Sequence, residues 1–285
     1  MGKPYKFVPF LKTLPFESKG KKLEKGKIEV EIKVLNALHL SKGSFDINSK
    51  NELYKEFMKV NNKYVIPGTS IKGMVRNIAE IVSHSCISVP NKERSFLPHY
   101  KKISCKKDHC IICNIFGAMG KRSKIKVSDF YYEEGTGKHT VKGMPLLRTP
   151  KFSNLYTDND IIKGYKIYNH GIESILKNGT ENCECFMKDS VFKGYILYED
   201  LYMEELKLLC YSLGLSESFN HKLGYGKPAY YGAIKVSATE SKFKEYAQEY
   251  EKTADKEIKK NIDYLSQEYS YKKALKVPDY EGLMY

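Results

Sequence analysis

The sequence YVIPGTSIKGMVRNIAEIV, residues 64–82, decides the fold because a short strand there leads directly into an amphipathic helix. Pro67 and Gly68 end the strand, and a hydroxyl of either of the next two residues can cap the helix. Apolar side chains then recur at helical spacing over residues 71–82. The stretch therefore predicts one strand–helix unit of an α+β domain.

The start of this helix carries the chemistry of an anion site. Thr69 and Ser70 offer hydroxyls and backbone N–H groups, and the helix dipole favours negative charge at that end. Lys72 and Arg76 lie four residues apart on one face. The stretch is not a P-loop, because the GxxxxGK[ST] spacing is missing. The pattern indicates a phosphate site, and an ordinary capped helix with solvated charges is the alternative.

The rest of the chain supplies the partners of this unit. Residues 27–40 alternate apolar and charged side chains, which predicts a half-buried strand, and the polar residues 41–62 are expected to form a long loop. A second helix is predicted over residues 201–215. Further strands are predicted at residues 125–134, 163–171, 190–200 and 230–237. This order predicts an α+β fold of the ferredoxin-like type, as in RNA-recognition-motif modules.

The charge of the chain is strongly positive and unevenly distributed. The net charge is +14, yet residues 241–285 contain nine basic and nine acidic residues, so the excess lies in residues 1–240. A basic body attracts polyanions such as nucleic acid, although a generally lysine-rich proteome would give the same charge. We expect a domain over residues 1–240, with insertions at about 83–124 and 134–160, followed by a charged helical tail.

Neither a membrane span nor a secretory signal is evident. No apolar run reaches the length of about 18 residues that a transmembrane helix needs, and the first ten residues lack an apolar core. We expect a cytoplasmic protein with no membrane partner.

A second constellation is the glycine-rich stretch FNHKLGYGKPAYYGAIKVS, residues 219–237. Lys222 and Lys227 supply positive charge, and Tyr225 and its neighbours offer flat faces for stacking bases. Gly226 and the other glycines allow close approach of a backbone. The stretch predicts part of a nucleic-acid groove, although β-turns also collect glycine and tyrosine.

A third constellation is a run of cysteines. Cys105, Cys110 and Cys113 have C-x4-C-x2-C spacing, which is typical of a structural zinc site in a reducing compartment. We prefer His99 as the fourth ligand, because His109 directly precedes a cysteine and adjacent side chains point apart. The residues His109, His84 and Cys86 remain open for that position, and three free thiols in the core are the alternative.

Catalytic motifs are scarce in the sequence. No nucleophile elbow, HExxH motif or paired-carboxylate motif is present. His39 and Asp46 flank Lys42 in the expected long loop, where a carboxylate could position a metal or a ribose hydroxyl. A solvated surface aspartate is the alternative.

Taken in order, several of these stretches resemble one family. PYKFVPF, GKIEVEIKVLNALHL, IPGTSIKGMVRNIAEI, CIICNIFG, KGYKIYNHG and LGYGKPAYYGAIKV resemble the RAMP superfamily of CRISPR-associated proteins, the backbone-type subunits of type III effector complexes. The resemblance covers about residues 4–237. It implies an RNA-recognition-motif core with thumb and palm insertions, which stacks as a filament along the guide RNA.

The resemblance also implies roles for residues. Ser70, Lys72 and Arg76 would hold guide phosphates, and the thumb would be the insertion around residues 138–149. By the same resemblance, Tyr225, Gly226 and Lys227 would line the groove.

The family's catalytic aspartate corresponds loosely to Asp46, which would act with a divalent metal such as Mg²⁺. The family's loop usually carries Gly-Gly after LHI, whereas this chain has LHLSKGSFD. This departure puts cleavage in doubt.

The resemblance therefore predicts a subunit that binds guide RNA (crRNA) within an antiviral type III effector complex. Its partners would be crRNA, target RNA and the other effector subunits, with target-RNA endoribonuclease activity as an open question. Two alternatives remain. One is a stand-alone endoribonuclease that processes precursor guide RNA with His39, and the other is a non-catalytic assembly subunit that caps the complex with its tail.

Overall fold

The predicted α+β class is confirmed by a computed structural model, in which mainly antiparallel sheets occur together with helices. The described residues contain sixteen strands and five α-helices. None of these helices has both the length and the apolar character needed to cross a bilayer. The structure describes residues 3–18, 20–87, 95–105, 107–145, 147, 156–172 and 181–275.

In chain order, the described residues form the following strands and helices. The strands are β1 (Tyr5–Val8), β2 (Leu23–Val34), β3 (Ser41–Ile47), β4 (Leu53–Phe57), β5 (Lys59–Val60), β6 (Lys63–Ile66), β7 (Ile125–Val127), β8 (Phe130–Tyr132), β9 (His139–Met144), β10 (Thr157–Asp158), β11 (Ile161–Ile162), β12 (Tyr165–Tyr168), β13 (Glu181–Phe186), β14 (Val191–Tyr202), β15 (His221–Lys222) and β16 (Ala233–Ala238). The helices are α1 (Gly68–Ile81), α2 (Ile111–Phe116), α3 (Met203–Ser212), α4 (Ser241–Thr253) and α5 (Lys256–Glu268).

The large sheet has the order β15-β16-β2-β14-β8-β6-β5, and β7 also pairs with β14. Its central strand β2 buries Ile28, Val30 and Ile32 and exposes Glu29 and Lys33, which is the alternation that the sequence shows. The chain order β2, α1, β8, β14, α3, β16 is a strand–helix–strand–strand–helix–strand series. Because β2 lies between β14 and β16, the two halves interleave in one antiparallel sheet.

Helices cover the inner face of this sheet. Helix α1 packs against α3, and α3 packs against α4. The two helices from the expected tail are amphipathic, and they bury Phe243, Ala247, Ile262 and Leu265 in the main hydrophobic core. Helix α2 lies within residues 83–124, one of the two segments expected to be insertions.

The expectation of a long loop over residues 41–62 is wrong. Strands β3 and β4 form a hairpin there, and the hairpin belongs to a second sheet in the order β3-β4-β13-β9. Phe57 at the base of the hairpin is fully buried, whereas Phe45, Ile47 and Leu53 near its tip are exposed. Strand β9 comes from the stretch that the resemblance assigns to the thumb, of which residues 146, 148 and 149 lie outside the described residues.

Candidate nucleic-acid groove and cysteine cluster

A groove of about 440 Å³ runs between the start of α1, the strand β12 and the glycine-rich stretch after α3. It brings together Ser70, Lys222 and Lys227, three of the residues that the sequence assigned to RNA binding. It also contains Lys166 and Tyr168 on β12, whose roles the sequence did not predict. No acidic residue lines the described part of this groove.

The start of α1 is built by close packing against the sheet. A Cβ atom at Gly68 would lie 2.4 Å from the backbone oxygen of Val127, so only glycine lets the helix begin at this distance. The Gly68 N–H donates to Asp129 Oδ1 at 2.8 Å. One of the free N–H groups expected to hold an anion is therefore taken by the protein's own carboxylate. The helix begins at Gly68, before the expected cap residues, and no side chain caps it.

Three lysines give the groove its charge. Lys222 is 4 % exposed, and its Nζ donates to the Tyr231 carbonyl oxygen at 3.1 Å. Burial, together with the positive charge of Lys227, holds the pKa of Lys222 well below its usual value. Burial also lowers the pKa of Lys227, and it lowers the pKa of Lys166 to about 8. An anion in the groove would favour the charged forms of these lysines.

Lys166 lies among aromatic rings at the rim of the groove. Its Nζ is 4.0 Å from the ring centre of Tyr5, 4.9 Å from that of Tyr156 and 5.0 Å from that of Tyr168. Such rings attract a cation through their quadrupoles, so they hold the ammonium group beside the groove. The stretch KGYKIYNHG contains Lys166 and was one of the stretches that carried the family resemblance.

The glycine-rich stretch packs against the protein itself. Gly224 has φ +79°, and a Cβ atom there would lie 2.2 Å from the His39 carbonyl oxygen. Tyr225 N–H donates to that same oxygen at 2.9 Å. The glycines thus permit contact with the link between β2 and β3, rather than with a ligand as the sequence suggested. Tyr230 and Tyr231 are buried, which excludes them from stacking with bases.

The remaining predicted residues of this stretch lie away from the groove lining. The Tyr225 hydroxyl donates to Glu181 at 3.2 Å, and its ring faces Lys55. Gly226 has φ +77°, which disfavours other residues, and a Cβ atom there would push against the end of the Met144 side chain. Both residues therefore position the turn that carries Lys227.

Lys72 and Arg76 do not line the groove, so the expectation that they share it with Ser70 is corrected. The Lys72 ammonium donates to Ser123 Oγ at 2.8 Å, and the Arg76 guanidinium pairs with Glu80 at 2.8 Å. The two residues lie on a different face of α1 from Ser70, because helical residues two and six positions apart are rotated by roughly 200° and 240° around the axis.

The two candidate catalytic residues lie in different environments. His39 is fully buried, and its Nδ1 lies 2.7 Å from the Glu184 carbonyl oxygen. Substrate cannot reach it, which corrects the alternative that made it catalytic. Asp46 is exposed on β3, where it accepts hydrogen bonds from the Ile47 N–H at 2.8 Å and the Tyr54 hydroxyl at 3.1 Å. These bonds lower the pKa of Asp46, so it is ionised at neutral pH.

Four thiols converge beside α2. The Sγ atoms of Cys86, Cys105, Cys110 and Cys113 all lie within 4.8 Å of one another, and all four residues are buried. Cys86 takes the fourth position, which the sequence left open. His99, the preferred residue, lies on the surface against Tyr100 and outside this group.

The four thiols fit a tetrahedral zinc ion. With a Zn–S bond of about 2.3 Å, ligand sulfur atoms lie about 3.8 Å apart, and Cys86 Sγ lies 3.4 Å from Cys113 Sγ and 3.7 Å from Cys110 Sγ. All seven cysteines of the chain are free thiols, so the four of the cluster are available as ligands.

A comparison with protein-family models identifies the family. The RAMP superfamily model matches residues 31–269, which is well over half of the chain. No curated protein matches the sequence. The matched region includes α1, the groove, all four cysteines of the cluster and both helices of the expected tail. The chain therefore belongs to the RAMP superfamily of CRISPR-associated, RNA-binding proteins.

Proposed function

We propose that this chain is a crRNA-binding backbone subunit of a type III CRISPR effector complex. The observation that carries the proposal is the groove, in which three lysines with lowered pKa values meet the start of α1 without an acidic residue in the described lining. Cations that are partly removed from water favour a ligand that brings its own negative charges. A nucleic-acid backbone has that property.

The groove suits recognition of a backbone rather than a base sequence. Lys166 and Lys227 would contact phosphates, and the hydroxyls of Thr69 and Ser70 would donate to phosphate oxygens. Phosphate contacts fix the position of a strand without reading its sequence. A subunit that must accept many different guides needs contacts of this kind.

We propose zinc as the structural metal of this subunit. Zinc held by four thiolates would tie the segment around Cys86 to α2, which follows Cys110 directly. Closed sites with four cysteines stabilise folds and leave no open position for a substrate. The metal would therefore support the fold without taking part in RNA chemistry.

Target-RNA cleavage is a separate hypothesis that rests on Asp46. Its carboxylate is ionised and exposed on a hairpin, so a divalent ion such as Mg²⁺ could reach it. We expect Asp46→Ala to abolish any metal-dependent cutting of target RNA while crRNA binding stays unchanged, because Asp46 does not line the groove. Unchanged cutting by this variant would leave the subunit as a binding protein.

The two alternatives fare differently. A processing endoribonuclease that uses His39 is disfavoured, since that imidazole is buried against Glu184. An assembly role for α4 and α5 is compatible with the proposal, and it predicts that loss of residues 241–285 disrupts the complex.

The thiol cluster fits a reducing cytoplasm, which is the location we propose.

The proposal is tested by purifying the protein from its native host and sequencing the RNA that accompanies it. We expect fragments of CRISPR guide RNA together with other effector subunits. Host RNA without guide sequences, recovered at the same yield by a Lys166→Gln/Lys227→Gln variant, would contradict the proposal.

A further inference from the structure

A second basic pocket lies on another part of the molecule. It has a volume of about 390 Å³, and it shares no lining residue with the groove. Its walls come from β2, β14 and the segment that leads into β7. The lining residues are Lys25, Gly26, Arg122, Ser123, Lys124, Lys126, Leu197, Tyr198 and Glu199.

The pocket forms where the ladder between β2 and β14 is interrupted. Tyr198 pairs with Gly26, and the register shifts before Leu201 pairs with Glu24. Asp200, inside this irregularity, has φ +57°. Bulges of this kind bend a strand and redirect its side chains. The pocket beside Tyr198 is therefore formed by this irregularity in the pairing of β2 and β14.

The charges of the pocket are not balanced by the protein. Lys124 pairs with the buried Glu205 at 2.8 Å, and this pair is internally neutral. Lys25, Arg122 and Lys126 are exposed and have no carboxylate partner among the described residues. Only Glu199 contributes an acid to the lining. Three like charges that face one hollow repel one another, and an anion between them would remove that repulsion.

Hydrogen bonds of neighbouring groups fix the shape of the pocket. One of these groups, Lys72, is a fourth cation beside it. Ser123 Oγ donates to the Ile125 carbonyl oxygen at 2.9 Å, which fixes the turn between Arg122 and Lys124. Lys72 reaches the same hydroxyl from α1 at 2.8 Å. The positive charge of Lys72 therefore lies beside this pocket and away from the groove.

We infer that this pocket binds a phosphate group, carried either by a second segment of an RNA strand or by a free nucleotide. Arg122 presents a planar fork of donors that matches phosphate oxygens, and Lys25 and Lys126 add point charges. Leu197 is 40 % exposed and gives the pocket an apolar wall against which a sugar or base can lie. The inference does not depend on the function of the groove.

The test compares three variants by fluorescence anisotropy with labelled single-stranded RNA and by calorimetry with AMP. Arg122→Gln/Lys126→Gln removes two cations of the pocket, and Lys63→Gln/Lys260→Gln removes two exposed lysines from elsewhere. Glu199→Gln removes the only acid of the lining. Because all five residues are exposed, urea unfolding of each variant should match that of the unmodified protein.

We expect the pocket variant to lose about tenfold in affinity for its ligand, and Glu199→Gln to gain affinity, while the control variant changes by less than about twofold. Loss of RNA affinity without AMP binding identifies an RNA strand as the ligand. Loss of saturable AMP binding identifies a free nucleotide. The inference is overturned if the pocket variant and the control behave alike toward both ligands.

This test also separates the pocket from the groove. Lys166→Gln/Lys227→Gln is added to it as a fourth variant. If this variant keeps full RNA affinity, the proposed role of the groove is removed and the pocket result stands. The reverse outcome would remove the pocket and leave the proposed function intact.

Discussion

Two regions of the molecule each bring together several side chains of the same chemical type. The groove collects three lysines, and the cluster beside α2 collects four thiols that become anions on metal binding. The difference lies in access, since the groove is open to solvent whereas all four cysteines are buried. A closed cluster can only be completed by a small ion, and an open groove can be completed by a polymer.

This comparison separates stability from function. Completing the thiol cluster should stabilise the fold, because a buried site with four ligands exists only in the folded state. Completing the groove should change ligand affinity, because the groove already exists in the folded protein and no acidic residue lines its described part. Substitution of a cluster cysteine should therefore lower stability, whereas substitution of a groove lysine should lower ligand affinity.

The largest effect is expected at the thiol cluster. Cys110→Ser removes one zinc ligand and should lower the free energy of unfolding by about 4 kcal/mol or more, as expected for loss of a structural metal. Zinc content by mass spectrometry and urea unfolding provide the measurement. Cys210→Ser, at a buried thiol of α3 outside the cluster, is the matched control and should keep its zinc. Equal zinc content in both variants would remove the proposed site.

A smaller loss of stability is expected where the groove meets the protein interior. Gly224→Ala would drive a Cβ atom toward the His39 carbonyl oxygen and should cost about 2 to 3 kcal/mol. Gly73→Ala is the control, because nothing lies near its Cβ position in α1 and alanine favours a helix. Thermal unfolding measures both. A Gly224→Ala protein as stable as Gly73→Ala would contradict the packing described for this turn.

The pH dependence of RNA affinity should distinguish the groove further from the thiol cluster. The pKa of Lys166 is about 8 in the free protein, and a bound phosphate would raise it, so protonation and RNA binding favour each other. RNA affinity should therefore be highest below pH 8 and fall by up to about tenfold for each pH unit above it. Lys222, Lys227 and His221 also face this groove, whereas burial raises the pKa of Tyr156 to about 12, above that range.

The measurement for this pH effect is RNA affinity between pH 7 and pH 9. Lys166→Gln should flatten the part of the profile above pH 8, because glutamine does not titrate. A profile of the same steepness in that variant would assign the pH effect to another group.

The sequence predicted the local elements better than the assembled surfaces. Alternation in β2 and helical spacing in α1 each report one element. Helix α1 lies within three residues of its expected bounds, whereas β2 begins four residues before and ends six residues before the strand expected over residues 27–40. The hairpin of β3 and β4 was missed, because Phe45 and Ile47 are exposed and their polar neighbours give the segment the composition of a loop.

The groove was predicted only in part for a related reason. Ser70 was selected for its hydroxyl at the start of a helix, and Lys222 and Lys227 for their charge within a glycine-rich stretch, but such features do not show which way a side chain points. Lys72 and Arg76 have equally suitable chemistry, yet they lie on another face of α1. Cys86 could not be preferred over His99, because it lies 19 positions before Cys105 in the sequence and only the fold brings the two together.

The salt dependence of RNA binding tests the central claim most directly. The slope of log affinity against log salt reports how many phosphates a protein neutralises, at about 0.7 per contact on a single strand. We predict that Lys166→Gln/Lys227→Gln lowers the magnitude of this slope by about 1.4, whereas Lys63→Gln/Lys260→Gln leaves it unchanged. Equal slopes for the two variants would show that RNA does not lie in the groove.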